Sequence, residues 1–188
     1  MCSSDLLAHE LGSADGSPGQ VAQAAAAVRH VCAEPAIDEV AVPARSLAIV
    51  GAGPWGVTAR EGALKLREGA RMLAEGFDTD RLLHGGAVPL TAADGLVVLE
   101  PAADPDGLTG ALGSAAEAER VPVAVLAAAD VAAADSGRLP PLVAQIPMTV
   151  RLQLLAERFA RLRRQNPDVA VVGAWDEPAL SRMGAPGG

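Results

Sequence analysis

Residues 46–50, SLAIV, form a continuous apolar run that passes at once into a glycine-rich turn, GAGPWG. A short run without polar alternation is the signature of a β-strand buried on both faces. Such a strand needs helices above and below its sheet, so it commits the chain to a layered α/β design. The later segments follow the same rule. Residues 95–100 (GLVVLE) and 121–127 (VPVAVLA) read as strands, and 141–146 (PLVAQI) as a short one. Residues 20–34, 57–75, 108–120 and 148–164 read as helices, the last with Leu152, Leu155, Phe159 and Leu162 on its inner side. Residues 6–11 read as a helix end, 13–19 as a linker, 168–172 as strand or coil, and 184–188 as an unstructured tail. Strands alternating with helices imply a three-layer αβα sandwich around a parallel sheet.

Half of the 188 residues are hydrophobic, enough for one core, but aromatics are confined to Trp55, Phe77, Phe159 and Trp175. The net charge of −8 argues against a nucleic-acid partner. The one basic cluster, Arg158, Arg161, Arg163 and Arg164, stands near a helix end, where cations complement the helix dipole; it reads as structural. Cys2 and Cys32 make no disulfide framework, and without a CxxC pair no structural zinc is expected. No cofactor is called for. No apolar run approaches the ~20 residues of a membrane span, and the start lacks a secretory pattern. The expectation is a soluble cytoplasmic protein with no membrane partner.

The residues with chemistry to offer concentrate in 51–90. Gly51, Gly53 and Gly56 match G-x-G-x-x-G, the dinucleotide fingerprint. Its context should include a helix of moderate length, a second strand and an acidic residue at that strand's tip. Here the helix is expected to run through residue 75, and residues 77–83 read as polar loop, which argues the nucleotide reading down. A glycine turn feeding a helix could equally seat the anionic or hydroxyl end of another ligand. Glu61, Lys65, Glu68, Met72 and Glu75 recur at steps of four and three and share one helix face; Ala59, Ala63, Leu66, Ala70 and Leu73 form the opposite, core-facing stripe. From spacing alone the polar stripe is a solvated face or a row of acid, base and acid in a cleft. Lys65 is the only lysine among fifteen basic residues, which points to an amine that can lose its proton, as a guanidinium cannot.

The run REGALKLREGARMLAEGF followed by LLHGGAVPL resembles the second sugar-isomerase (SIS) domain of the glutamine:fructose-6-phosphate aminotransferases, without a gap over 51–90 and more weakly to the TVRLQLLAERFARL helix. The resemblance implies a flavodoxin-like, SIS-type sandwich that binds a sugar phosphate and isomerises or aminates a hexose 6-phosphate. It implies that Glu68 shuttles the proton between C1 and C2, that His84 opens the sugar ring, that Lys65 contacts substrate hydroxyls and that Glu61 pairs with Lys65. Gly51, Gly53 and Glu75 are expected to line the substrate site. It further implies a homo-oligomer with sites shared between domains or subunits. The chain departs from the family at Arg81, Leu83 and Gly86, where Glu, Lys and Pro are usual, and near the end, where Arg182 is the only basic residue and no imine-forming lysine is matched. The expected organisation is a non-native scar at 1–6 (MCSSDL), a lead-in at 7–43 from an upstream SIS domain, an SIS domain at 44–166 and a tail at 167–188. The alternatives are a non-catalytic phosphosugar-binding module and, behind it, a dinucleotide-binding domain.

Overall fold

A computed structural model describes residues 17–100, 107–128, 139–169 and 172–176. The expectations for 1–16 and 177–188 lie outside them. Four helices and four strands carry the architecture: α1 (Pro18–Ala33), β1 (Ser46–Gly51), α2 (Trp55–Ala70), β2 (Leu73–Asp78), β3 (Gly95–Glu100), α3 (Leu108–Ala118), β4 (Val123–Ala127) and α4 (Pro141–Leu162). The strands are parallel, in the order β2-β1-β3-β4.

β1 explains the layering. Leu47 and Ile49 point to one face and join Val97, Leu99 and Leu126 against α1, α2 and α4. Ala48 and Val50 point to the other face and join Leu96 and Val98 against Leu112 of α3 and against Leu82 and Leu90 of the segment after β2. The three-layer αβα sandwich expected from the sequence is therefore present. Among the described residues no helix is long and apolar enough to cross a membrane.

Two element boundaries differ from the sequence reading. α2 stops at Ala70, where Arg71 takes a left-handed conformation (φ 50°). Arg163 donates to the carbonyls of Ala70 and Arg71, at 2.9 and 3.2 Å, and so satisfies acceptors that the helix end leaves open. The chain then enters the buried position of Met72 and pairs with β1 as β2. Met72 is thus core and Leu73 is 69% exposed, the reverse of their expected places on the two helix stripes. The second difference is α4, one continuous helix across the expected strand 141–146. Pro147 removes one backbone donor, yet Val143, Ala144, Pro147, Met148, Arg151, Leu152, Leu155 and Ala156 keep one buried stripe. That burial outweighs the lost hydrogen bond.

Arginines of α4 organise the loop between α1 and β1. Arg151, 2% exposed, donates to the carbonyls of Pro35 (2.7 Å), Ala36 (2.9 Å) and Ala127 (3.3 Å). Arg158 donates to those of Val40 (2.8 Å) and Asp38 (2.7 Å). With Arg163 capping α2 and Arg161 paired to Glu157 at 3.3 Å, three of the four clustered arginines have structural partners.

The segment returning to β3 is pinned by buried Asp94. Its carboxylate accepts from Arg45 (2.6 and 2.8 Å), Ser46 (2.6 Å) and the amide and hydroxyl of Thr91 (2.8 and 3.0 Å). Arg45 also donates to the Pro89 carbonyl. The Arg45 hydrogen bond, helped by Ser46 and Thr91 and opposed by burial, holds the Asp94 carboxyl far below the usual carboxylate range. A lowered native pKa makes this contribution complete above the unfolded value of ~3.9 and lost progressively as pH falls below it. Asp94→Asn should cost about 1–3 kcal/mol in urea unfolding at pH 7, and the difference from the parent should shrink between about pH 4 and pH 2.

Candidate functional site

α2 runs from the carboxyl end of β1 back to the start of β2, pressed between the sheet and α4. Ala59, Ala63, Leu66 and Ala70 are buried as expected. Gly62 lets Leu152 of α4 approach: a Cβ there would lie 2.6 Å from Leu152 Cδ1. This packing turns Glu61, Lys65 and Glu68 outward. Lys65 Nζ lies 2.9 Å from Glu68 Oε2 and 3.6 Å from Glu61 Oε1, with all three side chains partly exposed. The hydrogen bond to Glu68, with the charges of both carboxylates, raises the Lys65 pKa against the smaller opposing effect of burial. Lys65 is therefore held as an ammonium ion, the opposite of the readily deprotonated amine expected from its isolation in the sequence.

Exposed pairs of this kind stabilise a helix by only ~0.2–0.5 kcal/mol each. Such pairs are marginal for folding, and their setting is more informative than their energy. Lys65, Glu68 and Gly69 form one wall of a 240 Å³ groove whose other wall is Gln153, Ala156 and Glu157 of α4, and Pro167 lines it beside Gly69. Gln153 and Glu157 were not legible as site residues, because on an amphipathic helix they read as its solvent side.

The other expected site residues stand elsewhere. Asp78 leads through a helical turn, Thr79–Arg81, into a wider turn, Leu82–Gly86, instead of the polar loop expected from residue 77 onward. Leu82 is buried in the second core, Gly85 has φ 122°, and His84 between them is exposed. His84 has no hydrogen-bond or ion-pair partner among the described residues. It belongs to the layer packed on one face of the sheet, whereas Glu61, Lys65 and Glu68 belong to the layer on the other. Glu75 is on β2, not on the α2 face. It lines a second cleft, of 390 Å³, with Arg67, Phe77, Gly86 and Leu90 at the open edge of the sheet.

The glycine turn has its own account. A strand, a sixteen-residue helix, a second strand and an acid at its tip, Asp78, are all present, so the grounds on which the dinucleotide reading was set aside do not hold. The chain's own packing nevertheless gives these residues a structural role. A Cβ at Gly51 would meet Trp55 at 2.6 Å, and a Cβ at Gly56 would lie 1.7 Å from Asp78 Oδ1. Asp78 is paired with Arg60 at 2.8 Å. The amides of Trp55, Gly56 and Val57 donate back to the carbonyls of Ala52, Gly53 and Pro54, each at 3.1 Å. Gly53 supplies the positive φ (54°) of the turn. Glycines, first-turn amides and acid are thus spent on the chain's own geometry. Among the described residues no group of three or more His, Cys, Asp or Glu is placed to hold a metal.

No protein-family model and no curated protein matches the sequence. Solved structures do match the fold. The C-terminal domain of glucosamine-fructose-6-phosphate aminotransferase from Francisella tularensis superposes at TM-score 0.56 and 19% identity, over 79% of this chain and 42% of that one. Tagatose-6-phosphate ketose/aldose isomerase from Escherichia coli gives 0.62 and 18%, over 87% and 49%. An Escherichia coli CFT073 protein in complex with arabinose 5-phosphate gives 0.62 and 15%, over 87% and 94%. The chain thus has the SIS-type fold, and it spans less than half the length of the first two structures.

If the glycine turn is structural, Gly56→Ala should drive Asp78 from Arg60 and destabilise the protein by about 1–3 kcal/mol. Chemical denaturation followed through buried Trp55 measures this; an unchanged midpoint would contradict the assignment.

Proposed function

We propose that the α2–α4 groove is one wall of a hexose 6-phosphate site, serving aldose–ketose isomerisation or isomerising amination. The observation that carries this reading is the Glu61–Lys65–Glu68 cluster, of which Lys65 and Glu68 line a groove on a fold shared with ketose/aldose isomerase and aminotransferase structures. The chemistry suits the geometry. Isomerisation moves a proton between adjacent carbons through an enediol, and one carboxylate that reaches both carbons can do so. Glu68 takes that role. The Lys65 ammonium, fixed between two carboxylates, stabilises the negative charge that develops on the neighbouring oxygens. Glu61 holds Lys65 in place. The phosphate of such a sugar would be held by groups beyond this groove, whose acidic rim repels it.

His84 cannot serve the same groove from its own layer. In this reading it opens the sugar ring in a site of a neighbouring domain or subunit, as in a homo-oligomer with shared sites. Gly53 and Glu75, both open to solvent, would meet substrate in such an assembly, and Gly51 is buried in the turn. The separation of His84 from Glu68 equally favours a second reading, a non-catalytic module that binds phosphosugars.

Interconversion of glucose 6-phosphate and fructose 6-phosphate by the full-length protein separates the two. Turnover that falls about 100-fold or more in Glu68→Gln supports the catalytic reading. Turnover unaffected by Glu68→Gln refutes the role of Glu68, and saturable binding without turnover leaves the binding module.

A further inference from the structure

The charged groups around the α2–α4 groove are all engaged: Lys65 with Glu61 and Glu68, and Glu157 with Arg161 at 3.3 Å. Gln153, on the opposite wall from Lys65 and Glu68, is the one polar side chain lining the groove that has no partner among the described residues. Its amide is exposed, and the backbone that carries it is fixed, because Leu152 and Leu155 on either side are fully buried against α2 and the sheet. Gly69 and Ala156, which complete the two walls, are small.

From this we infer that Gln153 is a specificity-determining residue that reads the hydroxyl-bearing end of the sugar, across the groove from Glu68. The inference rests on the proposed hexose 6-phosphate reading and goes beyond it by naming the second wall and what it recognises. A carboxamide donates through its nitrogen and accepts through its oxygen, so it can satisfy both the hydrogen and the lone pairs of a hydroxyl. It carries no charge, so it adds no repulsion where Glu61, Glu68 and Glu157 already concentrate negative charge. The same carboxylates exclude a phosphate from this end of the ligand, which leaves polyol oxygens as the matching chemistry. A site that hydrogen-bonds a hydroxyl discriminates strongly against analogues that lack it.

The side-chain amide resonances of Gln153 in the ¹⁵N-labelled full-length protein test this directly, with fructose 6-phosphate and inorganic phosphate as separate probes. Fructose 6-phosphate should shift them together with the amides of Lys65 and Glu68, and inorganic phosphate should not. Gln153→Ala should weaken fructose 6-phosphate about three- to tenfold, the worth of one neutral hydrogen bond, with an unchanged melting temperature. Shifts at Lys65 and Glu68 but none at Gln153 would overturn the inference and leave the site reading standing. Equal shifts with inorganic phosphate would overturn the hydroxyl assignment. No shift anywhere in the groove would refute the site reading and the inference with it.

Discussion

The fold depends on how closely α2 can approach its neighbours. Gly62 admits Leu152 from α4, and Gly76 of β2 admits the α2 backbone itself, since a Cβ there would lie 2.4 Å from Arg60. Interiors pack at crystal density, so such contacts hold in a single arrangement or are lost. With Ala59, Ala63 and Ala70 also at zero or one per cent exposure, α2 lies as a smooth cylinder between the sheet and α4. The consequence for function is rotational. A helix fixed on two sides has one free face, and here that face carries Glu61, Lys65 and Glu68.

The ionic groups divide by what surrounds them. Asp94 and Arg151 are buried and satisfied by several partners each, and they hold loops to the sheet and to α4. The Lys65 cluster is partly exposed and contributes little to folding, so its arrangement is free to serve a ligand. The sheet separates this cluster from His84, so one copy of the described chain presents the two on opposite faces.

Much of the layering was legible from single elements. The apolar run 46–50 could only be an interior strand, and residues 95–100 matched β3 from end to end. The stripe of Ala59, Ala63 and Leu66 identified the buried face of α2. What failed did so for tertiary reasons. Residues 71–75 keep helical spacing, but the helix end is capped by Arg163, 93 residues from Ala70, and the chain beyond it is taken up by the open edge of β1. Residues 141–146 read as a separate strand because their short apolar run is visible locally, whereas the buried stripe that carries α4 through Pro147 is not. The Glu61–Lys65–Glu68 row was visible in spacing, but nothing local could show that Gln153 and Glu157 face it. The fingerprint glycines were visible too, and only the packing of Trp55 and Asp78 against them gave them a structural reason.

The proposed hexose 6-phosphate site puts the sugar in the α2–α4 groove, with its reacting carbons at Glu68. A crystal structure of the full-length protein with fructose 6-phosphate tests it most directly. C1 and C2 should lie within reach of the Glu68 carboxylate, the hydroxyls between Lys65 and Gln153, and the phosphate outside the groove. A sugar seated instead at the glycine turn of residues 51–54, or in the cleft beside Glu75, would contradict it.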